Sequence, residues 1–570
     1  MIRRRRQKWE VAPEPDFHLI DDLSDALGLS RIIVKILINR GLDTPEKVDK
    51  FINPKMTDLK DPFLLPDMEK GIERVVEALR QQEKIMVYGD YDVDGITAAS
   101  LVFLVLNKLG AQVSYYLPNR LVEGYGISED GLAEAEKQGI SLIISVDTGV
   151  TAVEEAKHAH DLGIDLIVTD HHEPGPILPE VEAIINPKVH AEELGGHELS
   201  GVGVAFKVAQ ALYRRLGQPE YELEEHLDLV ALGTSADIVP LTDENRILTK
   251  FGIKQIVRTT KPGLKSLTFV SGLMGKEIST GQVVYVLAPR INAIGRLGNA
   301  EKAIKLLTTR DEQAASEIAK FLEEENRRRK SIDEKTLREA MDMIDTEIDM
   351  SNDRAIVLSS HGWHQGVIGI VASRLVERFY LPTILIAIDN DEGKGSARSI
   401  PSFHIYDALS SCQGDLLRFG GHKYAAGLTI KPSKVETFRR KFKQVAKDVL
   451  EPDDLIPRLK IDAEIDLEDI DTEFINAIDL FSPFGPMNMR PIFLTRNLEV
   501  VGTPHVVGKG HLKMKVKKGS KVFDVIGFGF GEHAQPLALR SVAVDLVYVA
   551  ELNTYAEQTR IQLRVKDLRY

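Results

Sequence analysis

Short apolar runs alternate with segments of helical periodicity along the first half of the chain. The runs that read as strands are 84–88, 111–117, 142–146 and 165–168. Apolar strands that are separated by helices are typical of a parallel sheet covered on both faces. The pattern therefore predicts an α/β lobe over residues 76–245, preceded by a helical lead-in over residues 1–75.

A long helix is predicted after this lobe. No Gly or Pro occurs between Gly298 and Gly362, and Thr309-Arg310-Asp311-Glu312 fits a capping box. A helix from about 310 to 349 would span roughly 60 Å at about 1.5 Å per residue, which is long enough to bridge two lobes. It belongs to a predicted helical connector over residues 246–350.

The remaining sequence predicts two further domains. An α/β pattern over residues 351–452 includes an apolar strand at 383–388. From 455 to 570, short β runs alternate with glycine turns, which is typical of a small barrel. The predicted fold is thus α/β, with two α/β lobes joined by a long helix and followed by an OB-type β-barrel.

Composition narrows the class of protein. Of 570 residues, 43% are apolar and 28% are charged, a balance typical of globular proteins. No apolar run approaches the roughly 18 residues of a membrane span, and no secretory signal is recognisable. Cys412 is the single cysteine, so an intrachain disulfide and a cysteine-based zinc site are excluded and a cytoplasmic location is expected. The net charge of −14 argues against a generally basic surface.

Acidic residues follow the first predicted strand. The strand at 84–88 leads into Gly89-Asp90-Tyr91-Asp92-Val93-Asp94-Gly95. If this segment is extended, alternate residues share one side, and Asp90, Asp92 and Asp94 converge. Like charges this close are unfavourable unless a cation neutralises them.

Three more motifs fall at the ends of predicted elements. Asp147 and the triplet Asp170-His171-His172 each follow a strand, and Asp237 ends an apolar helix that begins near Leu227. The carboxyl ends of parallel strands meet at one edge of a sheet, where α/β proteins bind ligands. Hard oxygen ligands with one imidazole suit Mn²⁺ or Mg²⁺, and two such ions form a site for displacement at phosphorus. One such motif alone is commonly a solvated turn, but four together favour a metal site.

These motifs resemble those of the DHH phosphoesterases. Further stretches, including Ala288-Pro289-Arg290-Ile291-Asn292, His361-Gly362-Trp363-His364-Gln365-Gly366, Gly395-Ser396-Ala397-Arg398-Ser399 and Phe419-Gly420-Gly421-His422-Lys423, resemble the RecJ family. The resemblance covers about residues 70 to 570. It implies a 5′→3′ exonuclease specific for single-stranded DNA, which releases 5′-mononucleotides and acts in DNA repair and recombination.

The resemblance also implies roles for individual residues. Two divalent ions, Mn²⁺ or Mg²⁺, are expected on Asp92, Asp94, Asp147, His171 and Asp237, with Asp147 as the bridging ligand. Asp90 would be a further ligand or a neighbour of the ligands. His172 would orient the adjacent ligand or contact the phosphate. A single-strand-binding protein and a RecQ-type helicase are expected partners, and no membrane is expected.

Candidate substrate-binding residues lie in the second lobe and beside the first. Ser396 and Arg398 would face one way in an extended segment and offer a hydroxyl and a guanidinium to one phosphate. By analogy with the family they form a pocket for a terminal 5′ phosphate, which Arg120 joins from the first lobe. The alternative for Arg398 is a surface salt bridge.

The glycines of Gly420-Gly421-His422 allow a backbone to approach a phosphate closely. Local sequence alone favours a plain glycine turn between a helix and a strand, and only the resemblance favours binding. Arg290 and Asn292 either contact the DNA strand or clamp the lobes together.

A basic run marks the predicted barrel. Lys513, Lys515 and Lys517 alternate along one strand, so that they share one face. Barrels of the OB type bind single strands through such grooves. The alternative is a charged edge that prevents aggregation.

Two other functions remain open from the sequence alone. One is a phosphodiesterase of the same superfamily for short oligonucleotides or small phosphate esters. The other is a non-catalytic replication scaffold.

Overall fold

The computed structural model describes residues 7–119, 122–190, 198–297, 300–539, 543–555 and 558–570, and only the backbone of 296 and 297. These residues divide into two compact units. The described residues within 56–450 and 485–487 form one unit, and those within 1–55, 451–484 and 488–570 form the other. Within the described ranges, no helix is both long enough and apolar enough to cross a membrane.

The N-terminal segment contains one strand and three short helices. They are β1 (Lys8–Val11), α1 (Phe17–Leu27), α2 (Arg31–Asn39) and α3 (Pro45–Ile52). Ser30 caps α2 by accepting a hydrogen bond from the Ile33 amide at 3.4 Å. Buried Ile33, Ile36 and Leu37 of α2 pack into the core of the C-terminal barrel.

The first lobe has a five-stranded parallel sheet in the order β3-β2-β4-β5-β6. Its elements are α4 (Met68–Gln81), β2 (Lys84–Gly89), α5 (Val93–Lys108), β3 (Gln112–Tyr116), α6 (Glu129–Gln138), β4 (Leu142–Val146), α7 (Val153–Asp161), β5 (Asp165–Thr169), β6 (Ala183–Ile185), α8 (Gly201–Arg215) and α9 (Leu227–Ala236). Apolar clusters cover both faces of the sheet. The strands that the sequence predicted are confirmed.

A helical connector follows. It contains α10 (Asp243–Arg258), α11 (Pro262–Val270), α12 (Thr280–Gln282), a π-helical turn (Val283–Leu287), α13 (Ala288–Leu297), α14 (Glu301–Thr308) and α15 (Glu312–Glu347). Asp311 caps α15, which confirms the predicted long helix within a few residues at each end. The helix packs on α11 and α13 near its start and on α16 (Gln365–Phe379) and β7 (Ile356–Ser360) of the second lobe, so it bridges the lobes.

The second lobe has a mixed sheet in the order β10-β11-β9-β8-β7. Only β7 and β8 are parallel, and the other neighbours are antiparallel. Its remaining elements are β8 (Thr383–Asp389), β9 (Glu392–Arg398), α17 (Ile405–Ser410), β10 (Leu416–Gly421), β11 (Ala425–Ile430) and α18 (Val435–Val449).

The C-terminal region forms a closed barrel. Its elements are β12 (Arg458–Ile461), β13 (Ala463–Glu464), α19 (Thr472–Asp479), β14 (Phe493–Val507), β15 (His511–Lys518), β16 (Lys521–Gly527), α20 (Ala534–Leu539), β17 (Val544–Tyr555) and β18 (Gln558–Arg569). The order β14-β15-β16-β18-β17 closes through pairing of β17 with β14. A five-stranded closed barrel with a helix between its third and fourth strands confirms the predicted OB type. β1 pairs with β12 in the same unit.

Candidate active site

The loop after β2 places three carboxylates at the carboxyl edge of the first sheet. Asp92 caps α5 and accepts hydrogen bonds from the amides of Asp94 at 2.9 Å and Gly95 at 3.2 Å. Asp94 therefore lies in the first helical turn. The prediction that Asp90, Asp92 and Asp94 share one side of an extended segment is wrong, because the helix begins at Val93. Gly95 is required here, since a Cβ would lie 2.7 Å from Asp90.

The neighbouring strands bring the other predicted ligands to the same edge. Val146 at the end of β4 pairs with Gly89 on one side and with Thr169 on the other, so three strand ends lie level. Asp147 follows directly, with a φ of 61° that an ordinary residue rarely adopts. Asp237 caps the carboxyl end of α9.

The potential ligands form three overlapping groups in which the ligand atoms of each group lie within 4.8 Å of one another. The groups are Asp90, Asp92 and Asp147; Asp94, His171 and Asp237; and Asp147, His171 and His172. His171 Nε2 lies 3.1 Å from Asp147 Oδ1, 3.6 Å from Asp237 Oδ2 and 3.9 Å from Asp94 Oδ2. Asp147 and His171 thus connect two acidic clusters.

The electrostatics of this cluster fit bound cations. Burial, and then Asp237 and Asp92, raise the pKa of Asp94 well above its usual range. Burial and four carboxylates have the same effect on the pKa of Asp147. Burial lowers the pKa of His171, which favours the neutral imidazole that a metal requires. Asp147 Oδ1 and Asp237 Oδ2 are buried and accept no hydrogen bond from any described residue. Divalent ions would both satisfy these oxygens and offset the repulsion.

The first residues of α8 contact the carboxylates of the cluster, and no sequence pattern predicted this contact. The amides of Gly201 and Val202 donate to the two oxygens of Asp94 at 2.7 and 2.9 Å. A Cβ at Gly201 would lie 2.4 Å from Asp147 Oδ1, so only glycine allows this approach. Ser200, which caps the helix just before Gly201, is the one local signal.

Asp170 positions His172. It accepts from His172 Nδ1 at 2.8 Å and from the amides of His171 and Val150 at 2.7 and 3.0 Å. Burial lowers the pKa of His172, but the hydrogen bond and the charge of Asp170 outweigh it and raise that pKa to about 9. Tyr125 Oη lies 3.2 Å from the same Nδ1 atom of His172 and 3.5 Å from its Nε2. Sequence reasoning assigned no role to Asp170 or Tyr125.

The second lobe contributes a polar pocket. Ser396 and Arg398 share one side of β9, as predicted, and Arg398 Nη1 donates to Ser396 Oγ at 3.1 Å. Gly369 of α16 lies against them, since a Cβ there would be 2.8 Å from Ser396 Oγ. The pocket has a volume of about 830 Å³, and Tyr125 lines it from the first lobe. Arg120 lies outside the described residues.

Gly420 and Gly421 end β10 and also line this pocket. They precede a β-hairpin turn in which the His422 amide donates to the Ala425 carbonyl at 2.8 Å, not a turn between a helix and a strand. Gly421 has a φ of 142°, and a Cβ would meet the Ala425 carbonyl at 2.4 Å. At Gly420 a Cβ would point into open space.

Arg290 is buried and forms an ion pair with Glu323 of α15 at 2.6 Å. Both helices belong to the connector, so this ion pair does not itself join the two lobes. Asn292 lies half-buried on the same helix. Gly295, one turn further, packs against the carbonyl of Tyr91 in the acidic loop, because a Cβ there would lie 2.3 Å from that oxygen. Helix α13 therefore supports the loop.

In the other unit, Lys513, Lys515 and Lys517 are all exposed on the outer face of β15, as the alternation predicts. Acidic residues flank them: Glu499 of β14 lies opposite Lys517 in the β14–β15 ladder, and Lys515 lies 3.9 Å from Asp524. At the start of the same face, the His511 ring packs edge-on against exposed Phe528, at 5.2 Å between centroids. The sequence interpretation missed this aromatic pair, because Phe528 comes from the turn after β16, 17 residues further along the chain.

Three family models match the chain in order. They are the DHH family, N-terminal domain, over residues 84–234, the DHHA1 domain over 352–448 and the RecJ OB domain over 461–567. The single-stranded-DNA-specific exonuclease RecJ of Bacillus subtilis is 41% identical over 99% of this chain and 71% of its own length.

Two solved structures are similar as well. The structure of RecJ from Thermus thermophilus in complex with Mn²⁺ matches with a TM-score of 0.85 and 29% identity, over 99% of this chain and 79% of that one. The corresponding Mg²⁺ complex matches with a TM-score of 0.79 and 28% identity, over 99% and 78%. Mn²⁺ and Mg²⁺ are the cofactors that the sequence predicted. The chain therefore belongs to the RecJ family of single-stranded-DNA-specific exonucleases.

Proposed function

We propose that this exonuclease degrades single-stranded DNA in the 5′→3′ direction and releases 5′-mononucleotides, in DNA repair and recombination. The observation that carries the proposal is the meeting of two complementary sites in one unit. An acidic cluster that fits divalent cations lies at the edge of the first sheet, and a pocket with a guanidinium, a hydroxyl and close backbone lies in the second lobe. Tyr125 contacts His172 and also lines the pocket.

In the acidic cluster, Asp92, Asp94, Asp147, His171 and Asp237 would hold two ions, with Asp147 between them and Asp90 beside Asp92 and Asp147. When bound, two divalent ions acidify the attacking water and offset the charge that develops on the leaving oxygen. The backbone amides of Gly201 and Val202 orient Asp94, and their hydrogen bonds oppose the burial and the neighbouring carboxylates that raise its pKa. These two hydrogen bonds, one to each oxygen, fix the orientation of the Asp94 carboxylate.

His172 would contact the scissile phosphate. Against the effect of burial, the hydrogen bond and the charge of Asp170 raise the pKa of His172, which favours the protonated ring that can donate a hydrogen bond to a phosphate oxygen. Asp170 holds the ring at Nδ1, so Nε2 would be the nitrogen that donates to the phosphate. The role of Asp170 is to position His172, because a carboxylate that accepts from one ring nitrogen fixes the orientation of the imidazole.

The second-lobe pocket would receive the terminal phosphate. Arg398 and Ser396 offer charge-assisted hydrogen bonds to it, and the strand end at Gly420 and Gly421 allows backbone approach, with His422 and Arg120 as further candidates. A terminal phosphate held at a fixed distance from the metals would set both the polarity and the size of the product.

The exposed lysines of β15 would bind the strand backbone without sequence preference. The pair of His511 and Phe528 adds an aromatic surface for base stacking. We also propose that the protein acts in the cytoplasm, where a single-strand-binding protein and a RecQ-type helicase would supply its substrate.

The test is a product ladder from one 5′-phosphorylated single strand, incubated in parallel with Mn²⁺, Mg²⁺ and chelator. Mononucleotides released first from the 5′ end, with either metal and not with chelator, are expected. Degradation from the 3′ end, or of duplex at the same rate, would contradict the proposal. A length series separates it from the short-oligonucleotide phosphodiesterase, which should slow as the strand grows. Full activity of an Asp147→Ala variant would indicate a contaminating nuclease and revive the scaffold role.

A further inference from the structure

The phosphate pocket of the second lobe is larger than one terminal phosphate requires. Its volume of about 830 Å³ is in the range of cavities that hold whole small molecules. Ser396 and Arg398 account for one part of its lining. Three further polar side chains line the same cavity: Lys394, Arg418 and Thr429. Sequence reasoning assigned them no role, and the proposed function does not use them.

Strand pairing places these three side chains in one row across the sheet. Lys394 of β9 lies opposite Thr429 of β11, which in turn lies opposite Arg418 of β10. Residues directly opposite each other in neighbouring strands share one face of a sheet. Lys394 also precedes Ser396 and Arg398 by two and four residues on β9, so all five side chains lie on the same face. We call Lys394, Arg418 and Thr429 the polar row.

A bare stretch of backbone separates the polar row from Arg398. Ser396 lies opposite Gly427 of β11, and Gly427 lies opposite Gly420 of β10. A Cβ at Gly420 would meet no atom of a described residue within 4 Å, and a Cβ at Gly427 would meet the Gly395 carbonyl at 4.0 Å, an ordinary contact. Packing therefore requires neither glycine, and both line the cavity. Glycine weakens a strand, and in such a position it often marks the close approach of a ligand.

The polar row offers two cations and a hydroxyl to an anion. The Arg418 guanidinium is exposed and forms no ion pair or hydrogen bond within the part of the chain that the structure describes. Lys394 Nζ lies 3.3 Å from Thr429 Oγ1 and 3.3 Å from Glu392 Oε2. Both partners of the pair with Glu392 are about half-exposed, and ion pairs of this kind contribute little. The buried Thr429 hydroxyl accepts from Lys394 and keeps its own proton to donate.

The polar row lies about one nucleotide away from the first phosphate position. Strand residues two apart are separated by about 6.6 Å, so the row is about that far from Ser396. Arg398 Nη1 donates to Ser396 Oγ at 3.1 Å, so a phosphate bound by both side chains lies near Ser396. Neighbouring phosphates of an extended single strand have a spacing of the same order. A nucleoside between two phosphates so placed would lie over the bare backbone at Gly420 and Gly427.

We infer that the polar row is a second position for the 5′ phosphate, one nucleotide from the position at Ser396 and Arg398. The 5′ end then binds in two registers, which differ by one nucleotide in their distance from the metal centre. One register gives the mononucleotide of the proposed function, on which this inference rests, and the other gives a 5′-phosphorylated dinucleotide. In both registers water cleaves the P–O3′ bond, so the product ends in a 3′ hydroxyl and the shortened strand keeps a 5′ phosphate for the next round.

The test follows the first product of a single strand whose 5′ phosphate carries the label, under single-turnover conditions with Mn²⁺. The label leaves in a mononucleotide or in a dinucleotide, so the early ratio of the two products measures how the two registers are occupied. A Lys394→Gln, Arg418→Gln variant should change this ratio by about threefold or more, because charge-assisted hydrogen bonds to one position are lost. Arg398→Lys weakens the other position and should change the ratio in the opposite direction.

The matched control removes one lysine and one arginine elsewhere in the same lobe. Arg440 and Lys447 are exposed on α18, and the described lining of the pocket does not include them. An Arg440→Gln, Lys447→Gln variant has the same net charge as the polar-row variant and should keep the original ratio. An equal change in both double variants is an effect of net charge and overturns the inference. Changes in the same direction for the polar-row variant and for Arg398→Lys overturn it as well.

A second measurement uses the unmodified protein and does not depend on a variant folding. In a strand whose first linkage carries a methylene group in place of the O3′ leaving oxygen, that linkage keeps its charge but is not hydrolysed. The register that gives dinucleotides should still release the terminal dinucleotide from this strand. A strand that stays intact, or mononucleotides as the only first product of the ordinary strand, overturns the inference and leaves the proposed function standing. Failure to degrade the ordinary strand at all would instead contradict the proposed function.

Discussion

The two sheets of the larger unit build their sites in different ways. In the parallel sheet of the first lobe, functional side chains follow the strand ends, and all the carboxylates meet at one edge. In the mixed sheet of the second lobe, Ser396 and Arg398 lie on the strand β9 itself and face a pocket. The first arrangement concentrates negative charge and needs cations, whereas the second presents a cation and donors and needs an anion. Chemistry and end recognition should therefore be separable by mutation.

The largest effect is expected from Asp147→Ala. This change removes the carboxylate shared by two ligand groups, and the rate of single-strand hydrolysis should fall on the order of 10³-fold or more. Binding of a 5′-phosphorylated strand should change by less than about threefold, since the pocket of the second lobe is untouched. Stopped nuclease assays and fluorescence anisotropy measure the two quantities.

Removing the metals with a chelator from the unmodified protein should reproduce the same separation. If Asp147→Ala loses binding as strongly as it loses rate, the two sites do not act separately and the comparison fails.

A smaller and opposite effect is expected from Arg398→Lys. Lysine keeps the charge but loses the planar fork that donates to Ser396 and to a phosphate. The KM for a 5′-phosphorylated strand should rise about tenfold, with kcat nearly unchanged. Steady-state kinetics on matched strands with a 5′ phosphate and a 5′ hydroxyl test this, because the hydroxyl strand should show no difference between variant and unmodified protein. An equal loss on both strands would assign Arg398 to the fold instead of to phosphate recognition.

The glycines at the end of β10 offer a matched pair for the same lobe. Gly421→Ala places a Cβ against the Ala425 carbonyl at a φ of 142°, and should lower the free energy of unfolding by about 1–3 kcal/mol. Gly420→Ala points into open space and should change it by less than about 0.5 kcal/mol. Denaturant titration compares them. If Gly420→Ala raises KM although it leaves the free energy of unfolding nearly unchanged, the backbone at Gly420 contacts the substrate directly.

Local backbone geometry was enough to place several of the functional residues from the sequence. In a parallel sheet, a residue that follows an apolar strand lies at the ligand edge whatever the rest of the chain does, so Asp147 and Asp170-His171-His172 could be placed from sequence. Alternation along β9 and β15 likewise placed Ser396 with Arg398 and the three lysines. Both predictions depend on local geometry alone.

The features that sequence reasoning missed depend on contacts between distant segments. The amides that hold Asp94 come from Gly201 and Val202, more than 100 residues further along the chain. The prediction that the acidic loop is extended failed because Asp92 caps α5. A residue two positions after an N-cap lies in the first helical turn, so Asp94 does not follow the alternation of an extended strand. The ion pair of Arg290 with Glu323 of α15 likewise joins residues that are 33 positions apart in the sequence.

The smallest predicted effect concerns pH and the helix that carries Asp237. His226 directly precedes α9 and is buried, and burial, then Lys261 and Lys108, lower its pKa from 6.5 to about 3. Since the folded state holds a proton less tightly than the unfolded state, stability is fully present above pH 6.5 and falls as pH decreases toward 3. At about pH 5.5 the loss amounts to about 1 kcal/mol.

In a His226→Gln variant this part of the pH dependence should disappear, so denaturant titrations at about pH 7.5 and 5.5 should diverge for the two proteins only at the lower pH. Hydrogen exchange should then locate the added opening in α9 and leave the sheet of the second lobe protected, because His226 belongs to the first lobe. Equal acid sensitivity in both proteins would mean that His226 is already accessible to protons in the folded state.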